Sequence, residues 1–157
     1  MRRPALFCAA LLLLAAAAQA APSAPGFHVT TLDGRRFELR DMLGRKVVVL
    51  RFQTSYCKAC IKESAALSQV ADKYRDRGVE VLAVHVQDTT ADVKKFVEEQ
   101  KPTYAVALDP KLTLGNRFGF RGTPFTVVID KKGEIVARVH GEGAVRRLPR
   151  TLDPLLK

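Results

Sequence analysis

Phe52-Gln53-Thr54-Ser55-Tyr56-Cys57-Lys58-Ala59-Cys60-Ile61-Lys62-Glu63 is the stretch on which the reading of this chain turns. Just upstream, Lys46 to Phe52 is a β-branched, apolar run of the kind found in a strand buried on both faces. Just downstream, Ile61, Ala65, Leu67, Val70, Ala71 and Tyr74 recur at helical spacing, and Gly78 stops the helix. The two cysteines therefore fall where a strand hands over to a helix. A helix N-terminus carries partial positive charge and unpaired N–H groups, which favour a thiolate at Cys57. The thiolate is the nucleophile of disulfide exchange, and Lys58 adds positive charge beside it. Cys60 lies one turn on, on the same helix face, placed to attack a mixed disulfide at Cys57 and release the partner.

Other readings of the pair are weaker. A zinc half-site needs two more ligands, and the chain offers only His28, His85 and His140, scattered singly. A purely structural disulfide between these residues would close a tiny loop, with little entropic benefit. No metal is expected, and no cofactor beyond the Cys57–Cys60 disulfide itself.

The N-terminus places this chemistry in a compartment. Met1-Arg2-Arg3 is a short basic segment, Ala5 to Ala18 is an unbroken apolar run, and Ala18-Gln19-Ala20 is a small-x-small cleavage site. The run falls short of the about 20 residues that a spanning helix needs. The reading is a cleaved signal peptide over 1–20, a flexible tether over 21–26 and one domain over 27–157. The product is periplasmic or otherwise exported, with no stable membrane insertion. Cleavage removes Cys8 and leaves Cys57 and Cys60 as the only cysteines, in an oxidising compartment. It also removes Arg2 and Arg3, taking the formal charge from +10 to +8. Basic charge invites a nucleic-acid reading. Export and the lack of a basic run with interleaved aromatics argue against one. Arg146-Arg147 with Arg150 reads as a solvated helix face.

The remaining chain supplies the elements of an α/β fold. Phe27 to Thr31 and Arg35 to Leu39 form a hairpin around Asp33-Gly34. Val79 to Val86 is a buried strand, and Ala91 to Gln100 is a helix capped by Thr90. Thr103 to Leu108 is a strand, and Pro110 to Phe118 a short helix. Pro124 to Asp130 and Glu134 to His140 pair across the Lys132-Gly133 turn. Ala144 to Leu156 is a helix weakened by Pro149 and Pro154. Strands alternating with helices imply a largely parallel sheet covered on both faces, closed by the last hairpin.

The segment from Phe52 to Glu63 resembles the active-site motif of thioredoxin-fold proteins, nearest the TlpA/ResA-like group. Gly122-Thr123-Pro124-Phe125 through Gly133 resembles that group's second signature. The resemblance implies a thioredoxin-like fold: a central mixed sheet flanked by helices, an N-terminal β-hairpin and a central α-β insertion at about Ala91 to Leu108. It also implies a cis Pro124 beside the cysteines. Proline has no N–H, which leaves the Thr123 backbone to pair with a substrate strand. With Tyr56, these two residues make up the expected substrate contact. Glu63 matches a family glutamate assigned to proton transfer with the cysteine pair, so the expected catalytic set is Cys57, Cys60 and Glu63.

Three departures stand out. Tyr56 replaces the usual tryptophan, and Ala59 the usual proline. Arg51 stands where thioredoxins carry a buried aspartate and relatives often an asparagine. Facing inward, Arg51 would favour the thiolate and, with Lys58, modulate the potential. Snorkelling to water is the equal alternative. The group's role implies keeping exported protein thiols reduced, as in cytochrome c maturation or copper-site assembly, with electrons from a membrane thiol-transfer donor; the protein is expected to be a monomer. An oxidising direction stays open. Two other functions compete. Thr54-Ser55-Tyr56-Cys57 echoes the T-x-x-C of peroxiredoxins, though Leu50 replaces their proline. Cys57, Cys60 and His140 are the candidate set for copper binding without catalysis.

Overall fold

The computed structural model describes residues 21–157. The signal peptide expected over 1–20, with Cys8, lies outside the described residues.

The hairpin forms as expected. β1 (His28–Thr30) pairs antiparallel with β2 (Arg36–Glu38), and Gly34 takes the positive φ of +84° that the turn demands. A single helical turn that sequence reading missed, α1 (Leu39–Met42), leads into β3 (Val47–Gln53). Next come α2 (Lys58–Arg75), β4 (Val79–Val86), α3 (Thr90–Gln100) and β5 (Ala105–Asp109). The chain then forms α4 (Thr113–Arg117), β6 (Phe125–Ile129), β7 (Ile135–His140) and α5 (Ala144–Leu152). Pro149 sits inside α5, and the chain tightens into a 3-10 turn over Asp153–Leu156, with Pro154 in its first turn.

The five-stranded sheet has the order β5-β4-β3-β6-β7. β3, β4 and β5 run parallel, whereas β6 is antiparallel to β3 and β7 to β6. The sheet is therefore mixed, as the resemblance implied, whereas the alternation of strands and helices alone implied a largely parallel one. The chain enters β6 after only the short α4 and a loop, from the opposite end of the sheet.

β3 is buried along its whole length, so its two sets of side chains face two different cores. Val48, Leu50 and Phe52 join Phe27, Phe37, Phe118 and Phe125 beneath the hairpin and α4. Val47 and Val49 join Leu67, Val70 and Tyr74 of α2 and Val145 and Leu148 of α5. The period-two alternation of a strand sends Arg51 and Gln53 to this second face, under α2. On α2 the packed residues are Cys60, Ser64, Leu67, Val70, Ala71 and Tyr74. Ile61 and Ala65, expected on the apolar face, are exposed. Ser64 takes the inner position and hydrogen-bonds the Tyr104 hydroxyl at 2.9 Å.

Both sheet edges are partly covered. The hairpin lays Thr31 beside Ala107 of β5, and Leu32 N–H donates to the Val106 carbonyl at 2.7 Å. Residues 21–26, expected as a flexible tether, instead run along the β6–β7 turn. Ser23 bridges Glu134, Ala24 N–H donates to the Gly133 carbonyl, and Ile135 N–H donates to the Pro22 carbonyl. Two unpaired edges would otherwise invite pairing with another chain.

Candidate functional site

The site is built at the sheet end where β3 runs out. A short loop, Thr54 to Tyr56, turns the chain, and Cys57 N–H donates back to the Thr54 carbonyl at 3.3 Å. Cys57 is the N-cap of α2, and its Sγ accepts a hydrogen bond from Cys60 N–H at 3.2 Å. Cys57 and Cys60 form a disulfide with their Cα atoms 5.2 Å apart. Their exposures differ as the chemistry requires: Cys57 is half-buried, whereas Cys60 is 1% exposed. The outer sulfur is reachable, and the inner one is shielded behind it. The Cys60 amide and the helix terminus that favour a Cys57 thiolate are therefore in place.

Thr123 and Pro124 lie at this same end of the sheet. The Thr123–Pro124 bond is cis, as the resemblance implied. Phe52 pairs with Phe125, so Pro124 stands at the end of β6 next to the end of β3. The Pro124 carbonyl accepts from Gly141 N–H at 2.8 Å, which ties it to the end of β7. Tyr56 is 69% exposed and flanks Cys57, and Lys58 is exposed on the first turn of α2. His140 stacks on Phe125, with ring centroids 4.2 Å apart. Among the described residues no group of three or more His, Cys, Asp or Glu side chains is placed to hold a metal ion. None of their helices is long and apolar enough to cross a membrane.

Arg51 faces inward and is 1% exposed. Its Nη1 donates to Thr126 Oγ1 at 2.9 Å and its Nη2 to Glu63 Oε2 at 2.5 Å, while Nε has no partner. Glu63 stands one turn past Cys60, and its other oxygen accepts from Gly143 N–H at 2.7 Å. Both carboxylate oxygens are thus committed to fixed donors.

A second buried cluster lies behind the loop, and sequence reading missed it. Asp88 accepts from Ser55 N–H at 2.7 Å and from Ser55 Oγ at 3.0 Å. Its Oδ2 is also 2.8 Å from His85 Nδ1, and His85 Nε2 is 2.9 Å from Gln53 Nε2. Burial pushes His85 below the ordinary histidine range, and the Asp88 hydrogen bond and charge only partly oppose that. The ring is therefore neutral, with its proton on Nδ1 toward Asp88 and Nε2 accepting from the Gln53 amide. This chain of contacts holds the residues just before Cys57. Its sequence signal was weak, a lone histidine in a strand and an aspartate after it.

Comparisons with known proteins agree with this geometry. The chain matches the AhpC/TSA family over residues 20–138. It is 35% identical over 130 residues to a thiol-disulfide oxidoreductase ResA of Bacillus thuringiensis (strain Al Hakam), covering 83% of this chain and 75% of that protein. Among solved structures, it superposes with a TM-score of 0.81 on a Chlorobium tepidum protein described as a thiol:disulfide interchange protein DsbE. The two are 28% identical, over 88% of this chain and 98% of that one. It superposes on dsbF of MTB with a TM-score of 0.75 at 26% identity, over 85% and 99% of the two chains.

Proposed function

This chain belongs to the AhpC/TSA family, as a thioredoxin-fold thiol–disulfide oxidoreductase related to ResA and DsbE, and we propose that it works as an exported reductant of protein disulfides. The observation that carries this reading is the asymmetry of the pair. An accessible Cys57 caps α2, and a shielded Cys60 lies one turn behind.

In the reduced enzyme the Cys57 thiolate attacks a partner disulfide. One partner sulfur leaves and takes a proton, and a mixed disulfide forms. Cys60, deprotonated, attacks Cys57 Sγ and expels the second partner sulfur. The enzyme is left as the disulfide seen here, and two electrons and two protons have passed to the partner. Tyr56, Thr123 and Pro124 make the surface on which the partner strand lies. A membrane thiol-transfer protein restores the dithiol, and the substrates are disulfides of exported proteins of the cytochrome c or copper-site assembly type. A signal peptide over 1–20 delivers the protein. The Glu63 carboxylate against Arg51 supports the reducing direction, because it offsets the positive charge that would otherwise favour the reduced form.

Two measurements test the reading. The Cys57–Cys60 potential against glutathione is expected well below about −120 mV, the strong-oxidant end of the scale. A value near that end overturns the reductant direction. A Cys60→Ala variant is expected to accumulate as a mixed disulfide with its natural partner, identified by mass spectrometry. Absence of any adduct in the exported fraction overturns the exchange reading.

One observation favours a second activity. Thr54 Oγ1 is buried without a hydrogen-bond partner in the loop before Cys57, in the T-x-x-C arrangement. Peroxide consumption by wild type that is lost in Cys57→Ser would establish a peroxidase. No consumption by wild type removes that reading.

A further inference from the structure

We propose that Arg51 and Glu63 act as one charge-compensated unit beneath the disulfide, and that the balance of their two charges sets how readily Cys57–Cys60 is reduced. The inference rests on the exchange reading above and concerns what tunes that exchange.

The pair is deeply placed, with side-chain exposures of 1% for Arg51 and 14% for Glu63. A guanidinium at that depth is costly to desolvate, and the carboxylate offsets the cost. The contacts tie four elements together. Arg51 comes from β3, Thr126 from β6 and Glu63 from α2, and Gly143 is the N-cap of α5. Glu63 and Cys60 are one turn apart on one helix face, about 5–6 Å between their Cβ atoms. With so little water between, each charge acts strongly on the sulfurs.

The sign of each effect follows from the redox chemistry. The disulfide carries no charge, whereas its reduction creates a thiol pair with thiolate character at Cys57. A positive charge nearby stabilises the thiolate and so the reduced form, and a negative charge opposes it. With both charges present, the two effects largely cancel at the sulfurs. Removing one charge exposes the sulfurs to the other. A pair that merely braced the fold would show no such dependence on sign.

The test is equilibration of the protein with reduced and oxidised glutathione at neutral pH. In that exchange two glutathione thiols supply two electrons and two protons. The Cys57–Cys60 bond breaks and the bond of glutathione disulfide forms. Alkylation and mass measurement give the reduced fraction. Arg51→Asn is expected to lower the equilibrium constant for reduction by about threefold or more, and Glu63→Gln to raise it by a similar factor. The double variant is expected to lie within about twofold of wild type. Shifts of the two single variants in the same direction, or no shift in either, overturn the proposal.

Arg51→Asn leaves a buried carboxylate uncompensated, and its folding is at risk. If it does not fold, the comparison of Glu63→Gln with the double variant decides. A rise in Glu63→Gln that adding Arg51→Asn reverses supports the proposal. A rise that persists in the double variant overturns it. Wild type that never equilibrates with glutathione removes the exchange reading and this inference with it. Wild type that equilibrates while the variants fail to diverge removes this inference alone.

Discussion

Asp88 holds Ser55 by two hydrogen bonds, from the backbone N–H at 2.7 Å and from the hydroxyl at 3.0 Å, across 33 residues of sequence. The carboxylate is buried, and its third contact is His85. The loop that presents Cys57 is therefore fastened to the end of β4 rather than left to find its own position. Asp88→Ala strips the partners from the Ser55 amide and the His85 Nδ1–H together. Leaving buried donors unpaired costs about 1–3 kcal/mol each. The expected loss is about 2–4 kcal/mol in urea denaturation, with faster alkylation of Cys60 in the reduced protein as the loop loosens. A variant as stable as wild type would show that the loop is held by other means.

His85 makes stability depend on pH in a known direction. Its folded value lies below the ordinary one because burial disfavours the imidazolium. Above about pH 6.5 the ring is neutral in both the folded and unfolded chains, and its contribution is complete. Below that, the unfolded histidine binds a proton that the folded one refuses. Stability then falls until the folded value is reached. Wild type is expected to lose urea resistance as pH falls below about 6.5, and His85→Gln to flatten that slope. An unchanged slope in the variant would assign the pH dependence to other groups.

How much of this was legible in the sequence differs from residue to residue. β3 and α2 were readable because a β-branched run, a cysteine pair and a terminal glycine each leave a local mark. The direction of Arg51 was not. Every residue of β3 is buried, so the alternation Leu50-Arg51-Phe52-Gln53 does not mark a solvent face and a packed face. Only the identity of what packs on each face, Phe118 on one side and α2 on the other, fixes Arg51 under the helix. Ile61, expected on the apolar face of α2, is exposed while Ser64 is buried, for a related reason. Tyr104, brought in by β5 from 40 residues away, supplies the partner that lets a serine be buried there. His85 and Asp88 looked unremarkable because their third member, Ser55, is distant in sequence and local pattern cannot register it.

Tyr56 separates recognition from folding. It is 69% exposed beside Cys57, so its ring is stabilised by little in the free protein. Tyr56→Ala is expected to change stability by no more than about 0.5 kcal/mol, as exposed positions away from special features do. Exchange with a protein disulfide is expected to slow by about tenfold, the loss of one buried aromatic contact, while exchange with glutathione stays near wild type. Equal slowing toward both would mean that Tyr56 acts on the reactivity of Cys57 rather than on the partner.

The cap of α3 is a matter of one residue, and it can be measured. Sequence reading gave the cap to Thr90. In the fold Thr89 has the extended backbone of an N-cap, and its Oγ1 accepts from Asp92 N–H at 3.1 Å. The same hydroxyl donates to Asp92 Oδ2 at 2.6 Å, so cap and first turn lock each other. Thr90 is already helical and exposed. Two adjacent threonines look alike in sequence, and only the backbone angle at the helix entry tells them apart. Thr89→Ala is expected to cost about 1 kcal/mol and Thr90→Ala less than about 0.5 kcal/mol. The loss should reach the site as well, because Phe96 of α3 packs edge-on against His85, with ring centroids 4.8 Å apart. Hydrogen exchange of the Ser55 amide, held by the aspartate that His85 orients, should therefore quicken in Thr89→Ala and stay unchanged in Thr90→Ala. A larger loss in Thr90→Ala than in Thr89→Ala would place the helix start one residue later than the fold has it.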